Sequence, residues 1–171
     1  MTLSFSENTA VPSLVYLGLG SNLAEPVGQI KSACRAISAL PDIQTIACSS
    51  LYRSLPMGPQ DQPDYINAVM CVSTCLSPQA LLRHLQTIEQ AHGRERKGER
   101  WGARTLDVDI LLYGEQLIDS PDLTVPHSGI AERSFVLLPL AEIAPQLVIP
   151  GKGTVTELLA HCPLLGLQRL N

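Results

Sequence analysis

Long apolar runs are missing from this sequence. A helix needs about 20 consecutive apolar residues to cross a membrane, and every apolar run in the chain is far shorter. The opening stretch MTLSFSENTAVPS lacks both a basic start and a continuous apolar segment, so it is not typical of a secretory signal. We predict a flexible N-terminal extension over residues 1–13, a single domain over residues 14–171 and no membrane partner.

Positive charge and aromatic side chains are also scarce. The formal net charge is −4, and the chain contains one tryptophan and two phenylalanines. A general nucleic-acid binder needs a broad basic surface, and RNA-binding modules need exposed aromatic residues on their strands. The composition therefore predicts no nucleic-acid partner, and it confines any anion-binding site to a local cluster of cationic residues.

The patterns of metal sites and of nucleophilic catalysis are missing as well. The five cysteines are odd in number and include no Cys-x-x-Cys pair, and no two histidines have the spacing of a zinc site. No Ser-His or Cys-His arrangement indicates a catalytic nucleophile. We therefore predict reduced cysteines in the core of a cytoplasmic protein. The cysteines are Cys34, Cys48, Cys71, Cys75 and Cys162.

The glycine motif LGLGSN, residues 17–22, does not match a nucleotide-binding fingerprint. Leu23 stands where G-x-G-x-x-G requires its last glycine, and no lysine follows as it does in a Walker A loop. We interpret the motif as a tight turn with close backbone packing at the end of a strand.

Apolar periodicity and turn residues predict the element order βαββαβ, followed by helical additions. Two strands that are adjacent in sequence between helices are typical of a mostly antiparallel sheet with helices packed on it. We therefore predict an α+β fold with a ferredoxin-like core. The predicted strands are residues 14–20, 43–53, 65–75 and 105–113; the predicted helices are 27–37, a segment that begins at Ser77-Pro78, 135–143 and 154–162.

Two aspartates lie inside the last predicted strand of this core. Residues 105–113 are rich in leucine, valine and isoleucine, yet Asp107 and Asp109 occur one residue apart within them. Successive side chains of a strand point to opposite faces, so the two carboxylates share one face. Carboxylate oxygens suit magnesium, which keeps its other positions for water and substrate phosphates. The pattern alone is also consistent with a solvated strand face that carries ordinary salt bridges.

A loop rich in arginine and glycine directly precedes this strand. Five of the chain's 12 basic residues fall within the eleven positions from 94 to 104. Guanidinium groups bind phosphate oxygens through forked donors, so we predict a mobile cationic loop that completes an ATP-phosphate site. The alternative is a solvated charge run relieved by Glu95 and Glu99. The basic residues are Arg94, Arg96, Lys97, Arg100 and Arg104.

Four blocks of sequence occur in a specific order. They are LGLGSNL, then GPQDQPDYINAV, then GRERKGERWGARTLDVDILLYG, and finally LTVPH followed by ERSFVLLPLAEIAP. Together they resemble the 6-hydroxymethyl-7,8-dihydropterin pyrophosphokinase family of folate biosynthesis, from about Leu14 to near the C-terminus. The resemblance implies a three-layer α/β/α fold on a ferredoxin-like core. It also implies Mg²⁺-dependent transfer of the terminal diphosphate of ATP to the pterin hydroxymethyl group, with release of AMP. We expect the enzyme to act as a monomer.

The resemblance also implies roles for individual residues. Asp107 and Asp109 are expected to hold two Mg²⁺ ions that bridge the ATP phosphates, and Arg94 and Arg104 are the expected catalytic arginines of the loop. The expected pterin-binding residues are Ser54, Leu55, Met57, Tyr65, Asn67, Trp101 and Phe135. The expected nucleotide-binding residues are Gln86, Glu89, Arg96, Arg100, Ile110, Thr124, His127 and Arg133.

Three positions depart from the pattern of the family. Ser128 stands where an aromatic residue is common and Asp122 where some members are basic, so we expect altered nucleotide contacts there. Ser54 replaces a frequent threonine, which is a mild change.

Two other functions are alternatives to this one. A Mg²⁺-dependent phosphohydrolase shares the carboxylates and arginines, but it gives no reason for the set Tyr65, Asn67 and Phe135. A nucleotide-sensing or RNA-binding module of ferredoxin-like type is disfavoured by the acidic balance and the few aromatic residues.

Overall fold

A computed structural model of the chain describes residues 10–93 and 103–171. Within these residues, the largest sheet has six strands and every strand pair in it is antiparallel. The elements that form and cover this sheet are β1 (Ser13–Ser21), α1 (Pro26–Ser38), β2 (Ile43–Cys48), β3 (Tyr52–Ser54), β4 (Tyr65–Thr74), α2 (Pro78–Ala91) and β5 (Asp107–Tyr113). They are followed by β6 (Ile118–Asp119), β7 (Thr124–Val125), α3 (Ser134–Ile143), β8 (Val148–Ile149), β9 (Gly153–Thr154), α4 (Val155–Ala160) and β10 (Gln168–Arg169).

The strand order confirms the predicted fold class. β1 and β4 pair at the centre, β5 pairs with the free side of β1, and both β2 and β3 pair with β4. Helix α1 connects β1 to the β2–β3 segment and α2 connects β4 to β5, which is the ferredoxin-like arrangement. The C-terminal strand β10 extends the sheet by pairing with β3.

Two apolar cores lie on opposite sides of the sheet and give the fold three layers. Alternate residues of the central strands, such as Leu17 and Met70, pack with α1 and α2. The other face packs with α3 and α4 through residues such as Val69, Leu137 and Val155. Because successive strand residues point to opposite faces, the same strands supply both cores.

The segment predicted as one strand over residues 43–53 is two strands, and that prediction was wrong. Between β2 and β3, the Ser49 hydroxyl accepts a hydrogen bond from the backbone N–H of Val69 at 2.9 Å. The backbone N–H and the hydroxyl of Ser50 both donate to the carboxylate of Glu142, at 2.7 and 2.6 Å. Side chains thus take the place of ladder partners here, which interrupts the strand.

Capping residues define the starts of two helices, of which the sequence had indicated Ser77. The Ser77 hydroxyl accepts from the backbone N–H of Ala80 at 3.2 Å, and Pro78 occupies the first turn of α2. Thr154 and Glu157 form a reciprocal capping box at the start of α4. Each cap satisfies backbone donors that have no partner within the helix, which stabilises a helix by about 1 kcal/mol.

The five cysteines are free of disulfide bonds, but their predicted location in the core is only partly correct. Cys71 is buried, whereas Cys48 and Cys75 are exposed. Cys48 ends β2, which pairs with β4 alone, and Cys75 follows the last residue of β4, so neither is covered.

Two further expectations concern the ends of the fold and the membrane. Ser13 already belongs to β1, while residues 1–9 of the predicted extension lie outside the described residues. In the described parts of the chain, no helix has the length and apolar character to cross a membrane.

Candidate functional site

An open cavity lies on the α3 side of the sheet, where β1, β4 and β5 approach the segment after β3. Its volume is about 810 Å³ when the open mouth is included. Aromatic, amide, carboxylate and guanidinium groups converge on it, which is typical of a binding site with a few specific polar groups. The lining residues are Gly18, Leu19, Gly20, Ser54, Leu55, Met57, Tyr65, Asn67, Ala68, Arg104, Asp107, Asp109, Leu111, Arg133, Phe135 and Val136.

Two glycines of β1 form the floor of this cavity. In the strand register Gly20 lies between Asn67 of β4 and Asp107 of β5, and Gly18 is the partner of Asp109. Paired residues of adjacent strands point to the same face, so the absence of side chains on β1 leaves space between the amide and the carboxylates. The predicted strand over residues 14–20 correctly contained both glycines, but their interpretation as part of a tight turn was wrong, because β1 continues to Ser21.

The two aspartates have the geometry that strand alternation predicted. Val108 and Ile110 are buried in the core beneath α1 and α2, while Asp107 and Asp109 line the cavity on the opposite face. The backbone between the aspartates is anchored on the core side of the strand, because the buried carboxylate of Glu89 accepts a hydrogen bond from the Val108 N–H at 3.1 Å. The carboxylates are thus presented by a strand that is fixed on its other side.

A second cavity, of about 590 Å³ when its open mouth is included, adjoins the first at Asp109. It lies between α2, β5 and the segment from β7 to α3, and it includes the predicted nucleotide-binding residues Ile110, Thr124 and His127. The positions that depart from the family pattern, Asp122 and Ser128, line this cavity as well, together with Leu82, Val108 and Leu123. Asp109 borders both cavities, so a group bound in one is close to a group bound in the other.

Asn22 holds Arg104 at the edge of the first cavity. The Asn22 side-chain oxygen accepts from the Arg104 N–H at 2.8 Å, and the Asn22 N–H donates to the Arg104 carbonyl at 3.0 Å. The side-chain amide of Asn22 also donates to Gln62 and to the Pro63 carbonyl, at 3.0 and 2.9 Å. This nearly fully buried asparagine therefore joins three loops, and the sequence interpretation had missed it.

His127 points one ring nitrogen at the aspartate that borders both cavities. Its Nε2 lies 3.7 Å from Oδ2 of Asp109, while its Nδ1 accepts from the Gly129 N–H at 3.1 Å. Because Nδ1 is an acceptor, the proton of the neutral ring is on Nε2 and faces the carboxylate. Burial, followed by the charge of Arg133, lowers the pKa of His127, against the opposing effect of Asp107.

Two of the three aromatic residues predicted to bind a pterin, Tyr65 and Phe135, line the first cavity. Tyr65 begins β4 and Phe135 lies in the first turn of α3. Burial raises the pKa of Tyr65, with Arg104 lowering it and Asp107 raising it further, so the phenol lies within the field of the charged groups. The guanidinium carbon of Arg133 is 6.0 Å from the centre of the Phe135 ring, at the limit of a cation–π contact.

Gly129 is, after Asn22, a second residue that the interpretation of the sequence had missed. A Cβ atom at this position would lie 2.4 Å from Nε of Arg133. Only glycine therefore allows the guanidinium to lie against the backbone between β7 and α3. Arg133, predicted as a nucleotide-binding residue, lines the first cavity and is absent from the lining of the second.

Several of the predicted site residues either do not line the two cavities or lie outside the described residues. Gln86 and Glu89 belong to α2 and do not line either cavity. The remaining predicted loop residues fall outside the described residues: Arg94, Arg96, Lys97, Arg100 and Trp101.

The carboxylate pair is suited to a hard cation even though few protein ligands are present. Among residues 10–93 and 103–171, no three histidine, cysteine, aspartate or glutamate side chains form a metal-binding group. Magnesium nevertheless needs only one or two carboxylates when substrate phosphates and water supply its other ligands. Asp107 and Asp109 meet that requirement, while the Nε2 proton makes neutral His127 a donor rather than a metal ligand.

Comparison with known proteins gives one family. The model of the 7,8-dihydro-6-hydroxymethylpterin-pyrophosphokinase (HPPK) family matches residues 16–145. A Pseudomonas aeruginosa protein named 2-amino-4-hydroxy-6-hydroxymethyldihydropteridine pyrophosphokinase is 53% identical over 156 residues, which cover 91% of this chain and 96% of the relative. A Haemophilus influenzae protein of the same name is 52% identical over 144 residues, which cover 84% of this chain and 89% of the relative.

Solved structures of low sequence identity share the fold. The Plasmodium falciparum HPPK-DHPS wild type with pteroate has a TM-score of 0.71 at 14% identity, over 88% of this chain and 42% of that one. An HPPK-DHPS in complex with substrates has a TM-score of 0.68 at 13% identity, over 88% of this chain and 43% of that one. The chain thus spans less than half the length of these two solved chains.

Proposed function

The chain belongs to the 7,8-dihydro-6-hydroxymethylpterin-pyrophosphokinase family, and we propose that it transfers diphosphate from ATP to 6-hydroxymethyl-7,8-dihydropterin in tetrahydrofolate biosynthesis. The products are AMP and the pterin diphosphate. The observation that carries this proposal is the pair of cavities that meet at Asp109. A two-substrate transfer requires an acceptor site and a donor site that share a border, and the charged groups lie at that border.

The first cavity is the proposed pterin site. Tyr65 and Phe135 offer aromatic faces for a flat heterocycle, and Asn67 offers an amide for its polar edge. Ser54, Leu55 and Met57 complete the wall, and we propose Trp101 as a further pterin-binding residue. The pterin hydroxymethyl group then faces the aspartates across the glycine floor of β1.

The second cavity is the proposed nucleotide site. Thr124, His127 and Ile110 line it, and Leu82 adds an apolar wall. Gln86 lies one turn after Leu82 in α2, which makes it a neighbour of that wall. The other residues that we propose around ATP are Glu89, Arg96, Arg100 and Arg133. Glu89 contributes through Val108, whose backbone it holds between the aspartates.

Two Mg²⁺ ions bound by Asp107 and Asp109 are part of the proposal. Asp107 and Asp109 would hold these ions, whose positive charge would neutralise the negative charge of the triphosphate. The carboxylates face the cavity on one side of the strand, and the packed core lies on the other. Their mutual repulsion is relieved by a cation, which gives a physical reason for two carboxylates on an otherwise apolar strand.

Positioning and electrostatic stabilisation account for most of the proposed catalysis. The pterin hydroxyl oxygen loses its proton to water and forms a bond to the β-phosphorus of ATP. The bond between the β-phosphorus and the oxygen that bridges it to the α-phosphorus breaks, so AMP leaves with the electron pair. Charge shifts across the transferring diphosphate during this step. Arg104, held by Asn22, and Arg94 are the proposed donors to that charge, and the Nε2–H of His127 is a further donor to phosphate.

We also propose that the enzyme is cytoplasmic and acts as a monomer. The cysteines without disulfide bonds support the first part, because disulfides are rare in a reducing compartment. Size-exclusion chromatography with light scattering tests the second part.

One assay tests the function. The protein is incubated with ATP and Mg²⁺, with and without the pterin alcohol, and the nucleotides and phosphates are separated. We expect AMP and the pterin diphosphate in equal amounts, and only when the pterin is present. Release of orthophosphate or pyrophosphate without the pterin would support a phosphohydrolase and contradict the proposal. Omission of Mg²⁺, with a chelator present, should abolish AMP formation.

A further inference from the structure

The side-chain amide of Asn67 is held by two oxygen atoms of β3. Its Nδ2 lies 2.7 Å from Oγ of Ser54 and 3.4 Å from the backbone carbonyl of Tyr52. Asn67 and Ser54 are 5% and 7% exposed, so these contacts are shielded from water. A buried amide that loses a partner is not compensated by solvent, and its orientation therefore matters.

The Tyr52 carbonyl determines which way the amide points. A serine hydroxyl can donate or accept, so Ser54 alone is compatible with either end of the Asn67 amide. A backbone carbonyl can only accept. Rotation of the amide by half a turn would place its oxygen against the Tyr52 carbonyl, and the two acceptors would repel each other. With Nδ2 directed at β3, the Ser54 hydroxyl accepts the stronger of the two hydrogen bonds.

The amide oxygen then faces the cavity across the glycine floor. A Cβ atom placed on Gly20 would be 3.5 Å from Oδ1 of Asn67, so this oxygen lies over the floor rather than within the sheet. Tyr52, Asn67, Gly20 and Asp107 form one row of paired positions across four strands. The row presents an acceptor at one end of the glycine gap and a carboxylate at the other.

We propose that Ser54 is a positioning residue, whose hydroxyl holds the Asn67 amide so that its oxygen selects a ligand with an N–H donor on the facing edge. This inference rests on the proposed function, in which that ligand is a pterin, whose pyrimidine ring carries N–H donors. Ser54 acts through Asn67, and the expected effect is therefore on recognition of the pterin and not on phosphate chemistry.

A matched pair of variants tests this role. Threonine and valine have nearly the same shape, but only threonine has a hydroxyl, so Ser54→Thr and Ser54→Val differ in the group that the inference requires. We expect Ser54→Thr to retain the parental KM for the pterin. We expect Ser54→Val to raise that KM about tenfold, the factor that corresponds to the loss of one buried hydrogen bond. The KM for ATP and kcat should change less than threefold in both variants.

The outcomes separate positioning from general damage. An equal KM for the pterin in the two variants overturns the inference, as does a parallel rise of the KM for ATP in Ser54→Val. Ser54→Ala serves as a second hydroxyl-free variant if valine prevents folding, as judged by the melting temperature. It should raise the KM for the pterin to a similar extent.

Failure of the proposed function gives a different result. If the parent protein forms no AMP from ATP and the pterin, the proposed function is wrong, and the comparison is made on pterin binding by calorimetry instead. Equal Kd values for Ser54→Thr and Ser54→Val would then overturn the positioning role. Absence of pterin binding by the parent overturns both proposals.

Discussion

The central strands of the sheet have one fully packed face and one face that is interrupted by a cavity. On β1, Val15, Leu17 and Leu19 point to α1 and α2 and are almost completely buried. The intervening residues on the other face are Tyr16, which packs towards α3 and α4, then Gly18, over which the Leu111 side chain packs, and Gly20, which leaves the space above it open.

The neighbouring strands show the same division. On β4 and β5 the face towards α1 and α2 carries aliphatic side chains such as Ile66, Ala68 and Val108. The opposite face carries Asn67 and Asp107 at the corresponding positions around Gly20. The site is thus made by two kinds of change on one face: side chains are removed at the centre, and polar groups are placed at the rim.

Stability and function therefore depend on opposite faces of the same strands. Burial of aliphatic side chains on the packed face fixes the strand positions, since each fully buried leucine contributes about 1.5–3 kcal/mol. The carboxylates on the open face line the cavity and do not take part in this packing. Substitutions on the two faces should therefore separate loss of activity from loss of stability.

The largest effect is expected from the carboxylates of the open face. Asp107→Ala or Asp109→Ala should lower turnover by roughly 10²–10³-fold or more, the range for loss of one electrostatic group in an active site. The melting temperature should be retained, because removal of one carboxylate relieves a like-charge pair. AMP formation at saturating Mg²⁺ measures turnover, and Asp119→Ala, at an exposed position outside both cavities, is the control. Near-parental activity in either variant would contradict the metal assignment.

Substitutions on the packed face should instead lower stability and leave activity unchanged. Leu17→Ala should lower the free energy of unfolding by about 2–5 kcal/mol, because the completely buried leucine side chain is replaced by a cavity. Activity per folded molecule should stay near the parental value. Urea denaturation measures the change, and Leu14→Ala on the same strand, at a position that is 48% exposed, should change it by about 0.5 kcal/mol or less. Similar losses for the two variants would remove the distinction between packed and exposed positions.

A smaller effect is expected at the glycine floor. In Gly20→Ala the added Cβ lies 3.5 Å from Oδ1 of Asn67 and 3.8 Å from Cδ1 of Tyr65, distances that the fold tolerates. The methyl group occupies space where the pterin is proposed to lie, so the KM for the pterin should rise about tenfold, as expected for one misplaced methyl group. Gly28→Ala adds its Cβ where no atom lies within 4 Å, in α1, and should leave that KM unchanged. Identical KM values in the two variants would show that the floor does not limit the site.

The smallest effect concerns the edge of the packed face, where Cys34 of α1 contacts Cys48 of β2. A hydrogen bond from the Cys34 thiol, opposed by burial, lowers the pKa of Cys48 to about 7. The alkylation rate of Cys48 should therefore rise with pH through a midpoint near this value, because the thiolate is the reactive form. In Cys34→Ala the midpoint should move up towards the ordinary value of about 8.5. Peptide mass spectrometry after timed iodoacetamide labelling measures both midpoints; coincident midpoints would exclude the thiol hydrogen bond.

Elements that depend on neighbouring residues were predictable from the sequence. The alternation of Asp107 and Asp109 with Val108 and Ile110 determined which side chains share a face, because strand geometry has a period of two. Ser77 determined the start of α2, because capping involves atoms only three residues apart. The family resemblance added the candidate residues, and their roles in binding and catalysis stay predictions.

Features that depend on distant residues were not predictable in this way. At the break between β2 and β3, Ser50 is hydrogen-bonded to Glu142, which is 92 residues away in the chain. The glycines of LGLGSN were interpreted as a turn because their role depends on Asn67 and Asp107 in the strands on either side. Asn22 was missed for the same reason, since its partners Pro63 and Arg104 are 41 and 82 residues away.

By itself, the sequence determined the βαββαβ order of the core, the face that carries the carboxylates and the family to which the chain belongs. Only the tertiary structure decided that Asp109 borders both cavities, that the Tyr52 carbonyl orients the amide of Asn67, and that glycine leaves the floor open. The physical reason is the range of the interactions. Periodicity and capping act within a turn or a few strand residues, whereas a binding site is formed by side chains that meet only after separate strands have paired.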